Sequence, residues 1–287
     1  MSSATRAQRL QRIVVRMLHD PALRRKMYAE PASAAAELGL TDAEVAALTR
    51  PDARAWSVDV HRSDRVLTAL LGEFAVSALA LMAGGVTLAR LAGFFGDPSF
   101  HRAVMQRESL FLSFPEYLQS LCTRTGAGLA RSVIALEAAI AHVRRATVPP
   151  GPSGPSGPSG SAGGGTRWSR AATVMPVELG TGVLPIWERA HAALHRGGRD
   201  PLEALLGKAR PSLPAARGSG TEWVLVTLGA SGPEIGVTGE ALGRLLLAAS
   251  ATPREALVAL ACEEGVSPAE ADEILDELSA EGLIVRA

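Results

Sequence analysis

The sequence predicts an α+β protein that is mostly α, with an N-terminal all-helical domain tethered to a smaller α/β domain. Three observations carry this prediction. Helical periodicity runs through the first part of the chain, a Pro/Gly/Ser-rich segment follows, and a clear strand pattern appears only after it. We therefore predict a helical domain over 1–147, a flexible linker over 148–166 and a mixed domain over 167–287.

The predicted N-terminal helices are marked by their starts and by their apolar faces. Asp20 followed by Pro21 is typical of an N-cap with proline at the first helical position. Thr41 and Glu44 have the spacing of a capping box. The apolar positions from 63 to 81 predict one long buried helix, and a stripe from 129 to 143 predicts the last helix of the domain.

The C-terminal domain mixes strands with helices. The segment 222–228, EWVLVTL, is the strongest strand pattern in the chain, and 173–178 and 283–285 are further predicted strands. Helices are predicted over 239–249, over 253–263, and from the capping box at Ser267 to a stop before Gly282. The final order of helix, tight turn, helix and strand is that of a winged helix-turn-helix, so we expect this domain to be winged-helix-like.

The charge of this predicted winged helix argues against DNA recognition. Residues 268–281 contain six carboxylates and neither lysine nor arginine. A helix in the major groove must face phosphates, and DNA-reading helices use basic and amide side chains. We therefore expect no nucleic-acid partner and consider a peptide-binding role, in which an extended peptide joins a sheet edge. A winged-helix transcription regulator with a helical sensor domain is the alternative.

The overall charge balance conceals a difference between the two predicted domains. The chain has 29 basic and 29 acidic side chains, but residues 1–147 have a net charge of +5 and residues 167–287 a net charge of −5. The two cysteines are too few for a disulfide framework. No secretory signal is apparent, and the longest uncharged stretch is shorter than a membrane span. We expect a cytoplasmic protein with no membrane partner.

A search for catalytic patterns yields one weak candidate. His191 and His195 lie four residues apart on a predicted helix, a spacing that can place two imidazoles on one metal ion. No HExxH motif accompanies them, and the sequence lacks GxSxG, P-loop and GxGxxG motifs. Two histidines on such a helix are more often part of its polar face. We therefore predict no catalytic residues, no metal and no cofactor, and interpret the protein as a non-enzyme.

Scattered phrases along the whole chain carry a resemblance to a known family. They are LHDPALRRKMYAEPASAAAELGLTDAEVAAL near the N-terminus, FFGDPSFHRAVMQRESLFLSFPEYL, ALEAAIAHVRR, and ELGTGVLPIWERAHAAL before the C-terminal end. The pattern resembles the partner proteins of multinuclear non-heme iron-dependent oxidative enzymes in ribosomal peptide natural-product (RiPP) biosynthesis, such as the methanobactin partner. The resemblance implies an adaptor that binds the iron enzyme and the leader of a short precursor peptide, which the enzyme then modifies.

Two sets of residues are candidates for these contacts. For peptide binding, the candidates are the residues of two predicted strands: Trp223, Val224, Leu225, Val226, Leu283, Ile284 and Val285. For contact with the iron enzyme, the candidates are aromatic side chains: Phe94, Phe95, Phe100, Phe111, Phe114 and Trp187. Packing of a hydrophobic core is the alternative for the apolar residues of either set. We expect it for Val224 and Val226, which fall on one face of the strand, and for most of the phenylalanines, and an apolar tryptophan is also more often a core residue.

Overall fold

The computed structural model describes residues 3–57, 61–125, 128–146, 167–196, 200–207, 210–214 and 220–287. It is mostly helical, with two small antiparallel sheets, and this confirms the predicted α+β class with helix dominant. The predicted linker, residues 148–166, lies outside the described residues.

Contacts divide the chain into two compact units that are not continuous in sequence. The helical unit comprises residues 1–127 and 193–211, and the sheet unit comprises residues 128–192 and 212–287. This division differs from a boundary at 147, because the last helix of the predicted first domain packs on strands of the sheet unit. Sequence periodicity locates the buried face of that helix but does not say which element covers it.

The helical unit begins with four helices, and the starts of the second and the fourth follow the predicted signals. The Asp20 carboxylate accepts hydrogen bonds from the backbone amides of Ala22 and Leu23, and Thr41 and Glu44 form the expected capping box. The helices of this unit are α1 (Ser3–His19), α2 (Pro21–Ala29), α3 (Pro31–Leu38), α4 (Asp42–Thr49), α5 (Arg62–Glu73), α6 (Ala75–Ala83), α7 (Leu88–Ala92), α8 (Pro98–Gln106), α9 (Leu110–Thr125) and α12 (Pro201–Leu206).

The long helix predicted from residue 63 to residue 81 is broken in the structure. Helices α5 and α6 meet at Phe74 with an angle of 93° between them. Every residue from Ala75 to Leu81 is buried, so α6 is surrounded by protein on all sides. A helix that is apolar on every side is stable only inside a hydrophobic core. A straight continuation of the amphipathic α5 would instead lie along the surface.

Among the described residues, no single helix is long and apolar enough to cross a membrane. Together, α5 and α6 have the length and composition of a bent membrane span. The residues of α6 from Ala75 to Leu81 are, however, all buried within the protein.

The sheet unit consists of helices on both sides of a three-stranded sheet, with a second sheet near the chain end. Its helices are α10 (Gly128–Arg145), α11 (Val183–Leu194), α13 (Glu240–Ala248), α14 (Arg254–Glu263) and α15 (Pro268–Ala280). Its strands are β1 (Arg167–Arg170), β2 (Val174–Gly180), β3 (Thr221–Gly229), β4 (Gly232–Thr238), β5 (Thr252–Pro253) and β6 (Ile284–Arg286). The predicted strands at 173–178, 222–228 and 283–285 are thus confirmed to within a few residues.

Both faces of the main sheet are covered at β2 and β3. Its strand order is β2-β3-β4, all antiparallel. On one face, Trp223 and Leu225 pack towards α13 and the core around it. Val224 and Val226 point to the other face and are fully buried, where α10 contacts β2 and β3 and the Ser132 hydroxyl accepts a hydrogen bond from the Gly180 amide. This two-sided burial explains the continuous apolar run in β3.

A glycine lets the sheet and α13 approach closely. A Cβ atom added at Gly243 would lie 2.2 Å from Cε3 of the buried Trp223 indole. We expect Gly243→Ala to lower the free energy of unfolding by about 1–3 kcal/mol, because the rigid ring has to be displaced. The matched control is Gly72→Ala in α5, where an added Cβ has no neighbour within 4 Å. Urea unfolding should show the control to be neutral or stabilised by up to about 1 kcal/mol, and equal behaviour of the two variants would contradict the packing argument.

The second sheet joins distant parts of the sheet unit. Its order is β5-β1-β6, with β1 in the middle and antiparallel to both neighbours. Buried residues of β1, α13, α14, α15 and β6 form one hydrophobic core that includes Trp168, Leu246, Leu257, Leu275 and Ile284. The predicted capping box of Ser267 and Glu270 starts α15. Thr252 and Glu255 also have the spacing of a capping box, but this prediction is wrong, since Thr252 lies in β5 and α14 has no side-chain cap.

Candidate functional site

The first candidate strand for peptide binding has no free edge. Strand β3, which carries Trp223 to Val226, pairs with β2 on one side and with β4 on the other. Its backbone hydrogen-bonding groups are therefore used within the sheet, so the proposal that a peptide joins β3 is wrong. Trp223, Val224 and Val226 are buried, and Leu225 packs against the hydrophobic core. These four residues stabilise the sheet and its hydrophobic core.

Strand β4 has an outer edge, and the hydrogen-bond pattern shows which backbone groups face it. The Leu228 amide donates to the Thr173 carbonyl, so even-numbered residues of β3 bond to β2 and odd-numbered residues bond to β4. The β4 partners of those odd-numbered residues are themselves even-numbered. The backbone N–H and C=O groups of Ile235 and Val237, together with the carbonyl of Pro233, therefore point outward.

The outer edge of β4 is apolar and exposed. Within the described part of the chain no strand pairs with it. The Val237 side chain has a relative exposure of 73%, far above that of the other exposed large apolar residues, and Ile235 is half-buried. Edge strands of soluble proteins are usually protected by charges or prolines. Here Glu234 is the one charged residue of the strand, and Pro233 lies at its start, which leaves the segment from 235 to 238 unprotected.

Strand β6, the second candidate, also lies at the end of its sheet. The Leu283 carbonyl accepts from the Ala171 amide, and the Ala287 amide donates to the Arg167 carbonyl. Odd-numbered residues therefore face β1, and the backbone groups of Ile284 and Arg286 point outward. The Ile284 side chain is buried, Leu283 is half-buried and Val285 is exposed. This edge is shorter than that of β4 and offers the outward groups of only two residues.

Most aromatic residues proposed for contact with an enzyme are core residues. Phe94, Phe95, Phe100 and Phe114 are buried in the helical unit, and their rings pack edge-to-face or tilted against one another. A partner cannot reach them on the surface of the folded unit, which corrects the interface assignment for these four. Phe111 is half-buried and is the one phenylalanine of the set with an accessible surface.

Trp187 is half-buried in the sheet unit and is held in place by two neighbours. Its indole N–H donates to the buried Glu137 carboxylate at 3.2 Å, and its ring stacks on His191 with centroids 4.9 Å apart. The indole thus supplies a hydrogen-bond donor to a buried carboxylate of α10. This structural role is not evident from the sequence position of Trp187. The same stacking gives His191 a packing role.

Groups of three or more histidine, cysteine, aspartate or glutamate side chains that could hold a metal ion do not occur among the described residues. Cys122 is buried and Cys262 half-buried, and neither of them forms a disulfide. His61 lies 3.6 Å from the Asp64 carboxylate at an exposed position, whereas Asp59, close to it in sequence, lies outside the described residues.

Helix α15 carries its carboxylates on the surface, and one arginine neutralises two of them. The Arg254 guanidinium donates to Asp272 at 2.7 Å and to Asp276 at 2.8 Å, and this pairing lowers the pKa of the Asp276 carboxyl. Glu273 and Glu277 are exposed, and no described basic side chain lies within ion-pair distance of either. The exposed face of α15 is therefore strongly acidic.

The sequence did contain a signal for β4. The two-residue turn between Gly229 and Gly232 follows a clear strand, and such a turn predicts a returning strand directly after it. Ile235 and Val237 then alternate with Glu234 and Gly236. The alternation is short and contains glycines, which weakens it as a strand pattern.

Comparison of the chain with models of known protein families and with curated proteins finds no match.

Proposed function

We propose that the protein is a non-catalytic adaptor that binds the leader of a short ribosomal precursor peptide and presents it to a multinuclear non-heme iron oxidative enzyme. The observation that supports the proposal is the outer edge of β4, with outward backbone groups at Ile235 and Val237 and an exposed apolar side chain. An extended peptide that pairs there adds a fourth strand to the sheet, and its alternate side chains contact the face beside Val237.

The proposal includes a winged-helix-like module at the chain end. Helices α13, α14 and α15 with β5 and β6 follow the order of a winged helix, and β1 takes the middle position in the small sheet. In the adaptor this module supports the main sheet through α13 and has no DNA-reading role. The acidic surface of α15 favours this interpretation, because Glu273 and Glu277 would face phosphates in a major groove.

The peptide that tests the proposal is one encoded by a short reading frame next to the gene, made synthetically and labelled with fluorescein. We expect anisotropy titration with the full chain to show saturable binding, and we expect the adjacent iron enzyme to co-purify with the chain. Absence of both an iron-enzyme gene and a short peptide gene from the neighbourhood would argue against the adaptor function. Tight, salt-dependent binding of promoter DNA in a gel shift would favour the regulator instead.

Two proline variants distinguish the sheet edges. Val237→Pro removes an outward N–H of β4 without breaking a bond to β3, and we expect peptide affinity to fall by about tenfold or more. Arg286→Pro makes the same change on the outer edge of β6 and is the matched control. Loss of affinity in the second variant alone would move the site to β6, and unchanged affinity in both would exclude strand addition at these two edges. Circular dichroism and urea unfolding check that each variant is folded.

A further inference from the structure

The three C-terminal helices enclose an apolar groove that no part of the proposed peptide site uses. It lies between α13, α14 and α15 and encloses about 250 Å³. Its walls are almost entirely aliphatic and are formed by Leu242, Leu245, Leu260, Val266, Ile274 and Leu278. Leu242, Leu260, Val266 and Ile274 are only half-buried, so the groove opens the hydrophobic core of the module to the outside.

The size of the groove indicates what class of ligand it takes. Small-molecule and cofactor sites usually enclose about 300–1,000 Å³ and contain several convergent polar groups. This groove is smaller, and its polar lining is one ion pair, in which Arg244 donates to Glu264 at 2.6 Å. The space fits one or two apolar side chains of a protein partner, because an apolar cavity of about 150 Å³ is already large enough for a benzene ring.

The backbone around the groove indicates that the occupant is helical. Apart from the turn at Val266, the walls are helices, and the amides and carbonyls within a helix are bonded to each other. A strand laid across these helices would leave its own backbone groups without partners, which is costly when they are shielded from water. An amphipathic helix satisfies its backbone internally and presents apolar side chains at i and i+4, which match a groove of this kind.

The charge of the groove's rim indicates the charge of the partner. Glu270, Glu277 and Glu281 lie three or four positions from Ile274 or Leu278, so they flank the groove along α15. All three are exposed, and no described lysine or arginine pairs with them. Arg244, the basic residue of the lining, is already paired with Glu264. The rim therefore favours a cationic partner.

We propose that this groove binds a basic amphipathic helix of a protein partner, whose apolar side chains enter between α13, α14 and α15. Lysines or arginines beside those anchors contact the glutamates of the rim. The inference does not depend on peptide addition at β4, since the two sites use different residues and different backbone chemistry.

A synthetic amphipathic helix of leucine and lysine, labelled with fluorescein, is the probe. The leucines follow i, i+4 spacing, and two control peptides keep the leucines but replace lysine by glutamate or change the spacing to strict alternation. We expect the basic helical peptide to bind the full chain about tenfold more tightly than either control, with an affinity that falls as salt rises. Equal binding of the acidic peptide, or no binding of the basic one, would overturn the proposal.

Variants of the chain distinguish binding in the groove from binding by a general attraction between charges. Ala241 is exposed and lines the groove, so Ala241→Phe fills the space without altering the core, and we expect about a tenfold loss of affinity. Glu277→Lys should weaken binding more than Glu255→Lys, which changes the net charge equally at an exposed position outside the groove lining. Val237→Pro should leave binding of the helical probe unchanged, which keeps this test separate from that of the β4 edge.

Two results would contradict the proposal. One is unchanged affinity of the folded Ala241→Phe variant for the basic helix. The other is concentration-dependent dimerisation in sedimentation experiments that Ala241→Phe abolishes, since a second copy of the chain would then occupy the groove.

Discussion

Replacing Phe94 by alanine is expected to lower the free energy of unfolding of the helical unit by about 3–5 kcal/mol. The Phe94 side chain has 0% exposure, and its ring lies 4.9 Å from that of Phe114 and 5.4 Å from that of Phe100, measured between centroids. Removing the ring leaves a cavity at the centre of this aromatic cluster and loses its edge-to-face contacts. Chemical unfolding monitored by circular dichroism measures the change.

Phe111→Ala is the matched control for this experiment, because Phe111 belongs to the same unit but is half-buried. We expect a smaller loss, about 1–2 kcal/mol, since less apolar surface is returned to water. The two variants also test the hypothesis that these rings form an interface with an enzyme. A Phe94 variant that is as stable as the unmodified protein but fails to bind an enzyme would contradict its assignment to the core.

Acidification is expected to destabilise the helical unit through His101. This histidine on α8 is 6% exposed, and neither ring nitrogen has a hydrogen-bond partner in the described part of the chain. Its burial among apolar groups, with a smaller contribution from the Arg16 charge, lowers the pKa to about 4. Asp97 and Asp20 act in the opposite direction, and the nearby His19 adds to the lowering.

The sign of the effect follows from the proton uptake of the two states. Between pH 6.5 and about 4, the unfolded chain binds a proton at His101 that the folded chain does not, so stability is complete above pH 6.5 and falls as the pH drops. The difference between the His101 pKa values of the unfolded and folded states lowers the free energy of unfolding by about 3 kcal/mol over this window. The pKa of the Glu44 carboxyl is lowered to about 2, mainly by its hydrogen bonds with the Thr41 backbone and with Arg6, so its contribution is lost only below about pH 4.5.

Urea unfolding at a series of pH values tests this prediction in the full chain. We expect His101→Phe, which keeps a ring beside Phe100, to flatten the dependence between pH 6.5 and 4. The control is His61→Phe at an exposed position, which should retain the dependence of the unmodified protein. If the His101 variant keeps the full slope in this window, another group is responsible.

The candidate site illustrates how a correct local prediction can lead to a wrong site. The strand at Trp223 to Val226 was predicted from its composition, and β3 confirms it. Its use as a docking edge was wrong because pairing on both sides depends on β2 and β4, which a local pattern does not report. Strand β4, one of the strands with an outer edge, is short and contains two glycines, so its own sequence signal is weak.

The sequence by itself determined the features that depend on residues close together in the chain. Capping boxes at Thr41 and Ser267 mark helix starts, since their hydrogen bonds span three residues, and the excess of carboxylates along α15 is evident from composition. Only the tertiary structure decided which strand lies at an edge, which phenylalanines are buried, and where three helices leave an apolar groove. The physical reason is that exposure is a property of an element together with its neighbours, and those neighbours are distant in sequence.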